Sequence, residues 1–308
     1  MAKILIALGG NALGNTPEEQ LQLITGTATS IVDLIEQGND VVIAHGNGPQ
    51  VGMINLGMST AAEAGAIKAA MPFPECGAMS QGYIGYHLQN GIRNEMKKRG
   101  IEKSVATVVT QVVVDEKDPA FQKPTKPIGA FYTKEQADRI AAEKGYTMVE
   151  DAGRGYRQVV PSPKPVDVVE KEVVKTLISA GHVVITVGGG GIPVIEKNGK
   201  LIGTPAVIDK DFASAKLAEL IDADMLIILT AVDRVAIHWG KPEQKALEHM
   251  TVAEAEQYCA EGHFAPGSML PKVQAAMAFA RSGHKTIIAS LENAKDAIVG
   301  KSGTAVTL

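Results

Sequence analysis

Cysteine is scarce in this sequence. The 308 residues include only two, Cys76 and Cys259. They lie far apart and in no C-x-x-C pattern, so the sequence indicates neither a disulfide framework nor a zinc site. Sparse cysteine usage of this kind fits a reducing compartment, and we expect a cytoplasmic protein.

Excess positive charge and long apolar segments are also missing. The chain has 30 basic against 34 acidic residues and 4% aromatics, with no basic stripe interleaved with aromatic residues. We therefore expect no nucleic-acid partner. The apolar stretch near the N-terminus, residues 4–8, is too short for a signal peptide or a membrane span, so we expect no membrane association. An anionic ligand would have to be neutralised by a few local groups.

Four short, unbroken apolar runs are the main structural signal, at residues 4–8, 41–44, 183–187 and 226–229. Continuous rather than alternating hydrophobicity predicts strands that are covered on both faces, as in a parallel sheet flanked by helices. Residues 105–114 and 286–289 are further strand candidates. Helix starts are predicted at Thr16, Asp167 and Thr251, each a good N-cap. Strands and helices alternate, which is typical of the α/β class.

Residues 115–165 interrupt this alternation. Prolines cluster there, and the segment predicts one helix, residues 133–144, and a hairpin formed by residues 146–150 and 156–160. The sequence leaves open whether this insertion covers an active site or is an ordinary surface excursion. A second hairpin is predicted around Asn198-Gly199, a favoured two-residue turn.

Glycines follow three of the four apolar runs: Gly9-Gly10-Asn11, Gly46-Asn47-Gly48 and residues 188–191. In an open parallel sheet, the turns at the carboxyl ends of the strands meet where ligands bind. Glycine lets backbone N–H groups approach an anion closely. Tight strand-to-helix turns are the alternative explanation. Neither a dinucleotide fingerprint nor a P-loop is complete, so a Walker lysine is missing.

Three lysines could supply the positive charge that a Walker lysine would otherwise provide. Lys126, Lys210 and Lys272 are flanked by proline, glycine or apolar residues rather than by the polar neighbours of a solvated helix face. A long cationic side chain at such a position could reach into a cleft. Each could also be an ordinary surface lysine.

The strings "ALGGNAL", "HGNGPQVG", "PTKPIG", "EDAGRGYRQVVPSPKPVD", "GGGGIPV", "AVIDKDFAS" and "GHFAPGSMLPK" occur in this order between residues 7 and 272. Together they resemble carbamate kinases, members of the amino-acid kinase superfamily. The resemblance implies a three-layer αβα sandwich with an open, mainly parallel central sheet and a small protruding subdomain. It also implies a homodimer that catalyses ATP + carbamate ⇌ ADP + carbamoyl phosphate with Mg²⁺.

The resemblance also implies that different parts of the chain bind the two substrates. Residues 1–165, with the protruding subdomain at about 115–165, would hold carbamate or carbamoyl phosphate, and residues 166–308 would hold ATP or ADP. The implied catalytic residues are Lys126, Lys210, Asp211 and Lys272. The implied substrate-binding residues are Gly9, Gly10, Asn11, Gly46, Asn47 and Gly48, and the implied nucleotide-binding residues are Asp233, His263, Phe264 and Met269.

Phosphoryl transfer to carbamate suits such a residue set on chemical grounds. The attacking carbamate oxygen is already anionic, so the reaction needs positioning and positive charge rather than a general base. Run in reverse, the reaction would make ATP, as in fermentative breakdown of arginine- or purine-derived carbamoyl phosphate. The alternatives are a superfamily kinase for an acylamino acid or a nucleoside monophosphate, a paralogue with a different small acyl acceptor, and a silent nucleotide sensor. The sequence departs from the common family pattern at Ala44, Ala130 and Ala231. These departures leave open which small molecule accepts the phosphoryl group.

Overall fold

The computed structural model describes residues 2–9, 13–14, 16–151 and 153–308. Its elements in the first part of the chain are β1 (Lys3–Leu8), α1 (Pro17–Glu36), β2 (Asp40–His45), α2 (Gly48–Glu63), α3 (Phe73–Lys98), β3 (Val105–Thr107), β4 (Gln111–Val114), β5 (Lys126–Tyr132), α4 (Lys134–Lys144), β6 (Met148–Glu150), β7 (Tyr156–Val160) and β8 (Pro165–Val168). The second part contains α5 (Lys171–Ser179), β9 (Val183–Ile185), β10 (Ile192–Lys197), β11 (Lys200–Gly203), α6 (Lys210–Leu220), β12 (Met225–Thr230), β13 (Ala236–Ile237), β14 (Lys245–Ala246), β15 (His249–Thr251), α7 (Val252–Ala260), α8 (Met269–Ala280), β16 (Lys285–Ser290), α9 (Ala294–Ile298) and β17 (Thr304–Thr307).

An eight-stranded sheet in the order β15-β17-β16-β12-β1-β2-β9-β3 forms the centre of the molecule. The neighbours from β16 to β3 pair in parallel. At one edge β17 runs antiparallel to β16 and pairs in parallel with β15. The predicted open, mainly parallel sheet is confirmed, and the carboxyl ends of β1, β2, β9 and β12 lie along one edge.

Successive residues of β1 enter different cores. Ile4 and Ile6 belong to a cluster with apolar residues of α1 and α3, whereas Leu5 and Ala7 belong to a cluster with residues of α5, α6 and α8. Alternate residues of a strand point to opposite faces, so helices cover both faces of the sheet. This is the three-layer αβα arrangement, and it explains why the central strands are apolar throughout.

Two of the three predicted helix starts are confirmed. Thr16 accepts the N–H of Glu19 at the start of α1, and Thr251 forms a capping box with Glu254 at the start of α7. The start predicted at Asp167 is wrong, because α5 begins at Lys171 with Glu170 as N-cap. Asp167 instead lies in β8, where it pairs with Val113 of β4. Antiparallel pairing there outweighs the local capping preference.

The apolar stretch 105–114 is divided between two sheets. Its first part is β3, at the edge of the central sheet, and its second part is β4, in a four-stranded sheet ordered β11-β10-β4-β8. Between them, the N–H of Thr110 donates to Oε1 of Gln81 at 2.8 Å. The predicted hairpin at Asn198-Gly199 is confirmed as the turn between β10 and β11, with positive φ at both residues.

The predicted insertion contains a separate antiparallel sheet in the order β5-β7-β6 together with helix α4. We call residues 126–160 the small subdomain. The helix and hairpin predicted here are confirmed. The division into lobes at residue 165 remains a prediction. In the central sheet, strand β9, which follows residue 165 in the chain, lies between β2 and β3, which precede that residue. None of the helices in the described part of the chain has the length and apolar character needed to cross a bilayer.

Candidate active site

The first turn of α6 carries two of the predicted catalytic residues. Asp209 is the N-cap, and its Oδ1 atom accepts the N–H of Asp211 at 2.9 Å. Lys210 and Asp211 follow, and they are only 9% and 2% exposed although both are charged. Buried charges need partners, and Lys210 Nζ donates to Asp211 Oδ1. The helix dipole makes this end of α6 favourable for an anion.

Lys272 reaches the same carboxylate from the start of α8. Its Nζ atom donates to Asp211 Oδ2 at 3.0 Å, so each oxygen of Asp211 holds one ammonium group. Helices α6 and α8 pack on the same face of the central sheet, in one apolar core. Asp211 therefore keeps Lys210 and Lys272 close together despite their mutual repulsion.

Lys126 enters from the small subdomain, at the beginning of β5. Its Nζ atom donates to Asp209 Oδ2 at 2.6 Å. The α6 start thereby gathers three ammonium groups and two carboxylates from three separate parts of the chain. The four predicted catalytic residues, Lys126, Lys210, Asp211 and Lys272, all lie in this cluster.

The Gly46–Gly48 turn lies against the cluster. The N–H of Gly46 donates to the carbonyl of Leu8 at 3.3 Å, which places the turn beside buried Gly9 at the end of β1. A methyl group built at Gly46 would lie 3.6 Å from Cδ of Lys210. One built at Gly48, the first residue of α2, would lie 3.7 Å from the carbonyl oxygen of Pro127. Gly46 and Gly48 therefore adjoin Lys210 and the Lys126 segment, while the predicted residues Gly10 and Asn11 lie outside the described residues.

The side chain of Asn47 is anchored to helix α3 by one hydrogen bond. It is buried, and its Nδ2 atom donates to Oγ of Ser80 on α3 at 2.9 Å. A methyl group at Gly189 would lie 2.1 Å from that Nδ2 atom, and one at Gly190 would lie 2.1 Å from the carbonyl oxygen of Ile208. The glycine run at residues 188–191 therefore does converge on the site. Its role there is in packing, because Gly189 and Gly190 leave the space that Asn47 and the segment before α6 occupy.

His45, the last residue of β2, supports the same turn. It is fully buried, and burial lowers its pKa from 6.5 to about 4, with nearby Lys210 acting in the same direction. The imidazole is therefore neutral near pH 7, and its Nδ1–H donates to the carbonyl of Gly46 at 2.8 Å. Its Nε2 atom faces Gly188, where a methyl group would approach to 2.5 Å. Position 188 therefore has to be glycine, because the imidazole ring of His45 occupies the space that a side chain would need.

Two further cations, Arg157 and Lys164, lie near the site. Arg157 contacts Asp151 at 3.2 Å and the carbonyl of Gly129 at 3.2 Å, and its Nη2 atom would lie 3.8 Å from a methyl group at Gly48. Lys164 Nζ lies 3.0 Å from the centroid of the Phe212 ring in α6. The string "PSPKP" gives no hint of this contact, because it depends on how β8 approaches α6.

The predicted nucleotide-binding residues are distributed along the carboxyl edge beyond β12 and near α8. Asp233 accepts hydrogen bonds from Ser290, Asn293 and Ser302, at 3.1, 2.8 and 2.7 Å; these bonds hold its pKa below the usual range. His263 packs edge-on against His238, with ring centroids 4.4 Å apart.

Phe264 is 3% exposed and belongs to the core, and Met269 is the first residue of α8. Asp233 also lines an open pocket of about 380 Å³ with Arg234, Trp239 and Gln244. The segment of this pocket that contains Asp233 and Arg234 follows β12, a parallel strand of the central sheet.

Comparison with known proteins identifies the family. The model of the amino acid kinase family matches residues 2–290. The chain belongs to the amino acid kinase family. A carbamate kinase of Clostridium perfringens (strain 13 / Type A) is 58% identical over 99% of both chains. The "carbamate kinase-like protein YqeA" of Escherichia coli (strain K12) is also 58% identical, over 99% of this chain and 98% of that one.

Among solved structures, a carbamate kinase from Giardia lamblia bound to AMP-PNP matches with a TM-score of 0.90 and 43% identity, covering 99% of this chain and 98% of that one. The resemblance to carbamate kinases noted in the motifs is confirmed, as is the amino acid kinase fold. With full-length carbamate kinases at 58% identity among its relatives, the chain is a kinase. The lysine cluster is the feature of this amino acid kinase that suits phosphoryl transfer, because it presents several cations without a P-loop.

Proposed function

We propose that the chain catalyses ATP + carbamate ⇌ ADP + carbamoyl phosphate. The observation that carries this proposal is the convergence of Lys126, Lys210 and Lys272 beside the Gly46–Gly48 turn. The motif resemblance and the full-length carbamate kinase relatives support the same activity.

The residues act mainly through charge and position. A transferring phosphoryl group carries negative charge on its equatorial oxygens, and cations fixed around it stabilise the transition state more than the ground state. Lys210 and Lys272 are held in place by Asp211, and Lys126 by Asp209. The carbamate oxygen is the nucleophile and is already ionised. The absence of a catalytic base from the proposed residue set is therefore consistent with the reaction.

Backbone groups would hold the acyl end. The N–H groups at the start of α2 are unpaired within the helix, as at any helix start, and Gly48 leaves space in front of them. We assign Gly9, Gly10, Asn11, Gly46, Asn47 and Gly48 to substrate binding. For Asn47, the side-chain bond to Ser80 uses one N–H of Nδ2, so the Oδ1 atom and the backbone are the groups assigned to a direct contact. Asp233, His263, Phe264 and Met269 are assigned to the nucleotide pocket, with buried Phe264 supporting the wall rather than touching the ligand.

Mg²⁺ would enter with the nucleotide. Asp209 and Asp211 are already paired with lysines, and within the described ranges there is no group of three or more His, Cys, Asp or Glu side chains suited to a metal ion. The residues fit a metal that is held chiefly by phosphate oxygens, which Mg²⁺ favours. When bound, it would neutralise charge on the phosphates.

A kinase for a different small acyl acceptor is the second candidate, because one full-length relative is named only as carbamate kinase-like. A silent nucleotide sensor agrees less well with the retained lysine and aspartate set. We further propose a cytoplasmic homodimer that works toward ATP in fermentative breakdown of arginine- or purine-derived carbamoyl phosphate. These last points rest on the motif resemblance.

An ATP-forming assay with several phosphate donors tests the proposal. Purified protein would be given Mg²⁺, ADP and either carbamoyl phosphate, acetyl phosphate or N-acetylglutamyl phosphate, with ATP measured against the uncatalysed background. We expect ATP from carbamoyl phosphate at a kcat/KM at least tenfold above that for the other donors. Preference for another acyl phosphate would support the second candidate, and absence of ATP from all of them would refute both.

A further inference from the structure

One ion pair links the small subdomain to the start of α6. Lys126 Nζ and Asp209 Oδ2 are 2.6 Å apart, although the residues are 83 positions apart in sequence. Both side chains are partly buried, with exposed fractions of 29% for Lys126 and 13% for Asp209. Limited access of water strengthens such a contact relative to an exposed ion pair.

The two oxygens of Asp209 have different tasks. Oδ1 accepts the N–H of Asp211 and caps α6, while Oδ2 holds Lys126. The same carboxylate therefore fixes the helix start that carries Lys210 and the position of the subdomain lysine. A shift of either element would break one of the two bonds.

Electrostatics keep this carboxylate ionised. Burial alone would raise the pKa of Asp209, but Lys126, Lys210 and the N–H of Asp211 hold it well below its usual range. An anion at this place repels phosphate oxygens, so Asp209 is unsuited to contact the substrate. Any effect on phosphoryl transfer must pass through the groups that it holds.

We propose that Asp209 is a positioning residue that holds Lys126 over the site before substrate binds and releases it to the phosphoryl oxygens. In the empty enzyme, the Lys126–Asp209 pair keeps the small subdomain against α6. An arriving phosphoryl group, with more negative charge than one carboxylate, takes over the ammonium group. This role rests on the proposed phosphoryl transfer and adds to it a residue outside the predicted catalytic set.

Asp209→Asn separates the two tasks of the side chain. Asparagine is as good an N-cap as aspartate, so the variant retains the bond to the N–H of Asp211 and loses the ion pair. Asp118→Asn is the matched control. Asp118 also caps a helical turn, accepting the N–H of Ala120 at 2.8 Å, and its other oxygen accepts a backbone N–H from Lys164.

Hydrogen exchange of the unliganded proteins gives the first readout. We expect faster exchange of β5 and β7 amides in Asp209→Asn and in Lys126→Met, with the first turn of α6 unchanged and Asp118→Asn like the wild type in both regions. Faster exchange in α6 with an unchanged subdomain would show a capping role only and would overturn the proposal. Because no substrate is present, this result stands even if the protein proves to make no ATP from carbamoyl phosphate.

A double-mutant cycle gives the second readout. We expect Asp209→Asn to lower kcat/KM for carbamoyl phosphate about tenfold in the wild-type background and less than twofold in the Lys126→Met background, because both act through the same contact. Effects that multiply would show that Asp209 acts independently of Lys126. An increased Mg²⁺ requirement that is the same in both backgrounds would instead make Asp209 a metal ligand, and would also overturn the proposal.

Discussion

Gly52 of α2 and Gly129 of β5 touch through their backbones: a methyl group built on Gly52 would lie 2.2 Å from the Cα atom of Gly129. This contact seats the small subdomain on the helix that begins at the Gly46–Gly48 turn. The position of Lys126 thus depends on this backbone contact between Gly52 and Gly129, which we call the glycine joint and which has no room for a side chain.

Gly52→Ala should therefore loosen this joint. We expect it to lower the free energy of unfolding by about 1–3 kcal/mol, as is usual for overpacking, and to lower kcat/KM because Lys126 moves with the subdomain. Urea unfolding and the ATP-forming assay measure the two effects. Gly57→Ala is the matched control in the same helix, since nothing lies within 4 Å of a methyl group there; it should raise stability by about 0.4–1 kcal/mol. Equal behaviour of the two variants would contradict the described joint.

Gly48→Ala tests whether this glycine serves the ligand rather than the fold. A methyl group at Gly48 would make ordinary contacts, at 3.7 Å or more, and alanine favours a helix more than glycine does. We expect unchanged or slightly increased stability together with at least a tenfold loss in kcat/KM for the acyl phosphate. Full activity in this variant would show that the start of α2 does not approach the substrate.

The charge of Lys210 should limit activity at high pH. Burial lowers the pKa of Lys210 below its usual 10.5, with Asp211 opposing the shift. In the free enzyme the ammonium group is lost as pH rises through this lowered pKa, so kcat/KM should fall at a pH below 10.5. Bound phosphates favour the charged form, so the fall in kcat should lie at higher pH. The folded state binds fewer protons here than the unfolded state, and the contribution of Lys210 to stability should rise with pH between the two pKa values.

Lys210→Arg checks this assignment, because a guanidinium keeps its charge above pH 12. Its activity is expected to be lower, but without the alkaline fall seen in the wild type. Lys175→Arg, at a partly exposed position of α5, should retain the wild-type profile. The same alkaline fall in Lys210→Arg would assign it to a different group.

Buried His45 should make the protein sensitive to acid. Its pKa is about 4 in the fold, compared with about 6.5 in an unfolded chain. Between these values the unfolded state binds more protons, so stability is lost as pH falls from 6.5 toward 4, on the order of 3 kcal/mol in total. Urea unfolding from pH 7 to 4 measures this loss.

His45→Asn retains an N–H donor for the Gly46 carbonyl and removes the titrating ring, so its stability should fall less over that range. His249→Asn, at an exposed position, should show the full wild-type loss. An equal pH dependence in His45→Asn would refute the burial argument.

The sequence predicted the central strands well because their signal is local. Residues of β1, β2, β9 and β12 are apolar on both faces, and short unbroken apolar runs followed by glycine or turn residues are typical of buried parallel strands. Predictions failed where distant segments decide. Asp167 looks like an N-cap until β4 pairs with it, and residues 105–114 look like one strand until they enter two sheets.

The site shows the same limit. Lys126, Lys210 and Lys272 could be singled out by their neighbours and by the motif resemblance. The ion pair between Lys126 and Asp209 could not, because it depends on the placement of the small subdomain against α6. The third glycine run could be placed at the site but not given its packing role, since the groups that fill its space, His45 and Asn47, come from a different part of the chain.

A crystal structure with ADP, Mg²⁺ and a planar phosphoryl mimic such as aluminium fluoride tests the central claim most directly. The mimic should lie beside the Gly46–Gly48 turn, with the Nζ atoms of Lys126, Lys210 and Lys272 about 2.7–3.2 Å from its ligand atoms. A mimic bound away from all three ammonium groups, with Lys126 still paired to Asp209, would contradict the proposed phosphoryl-transfer site.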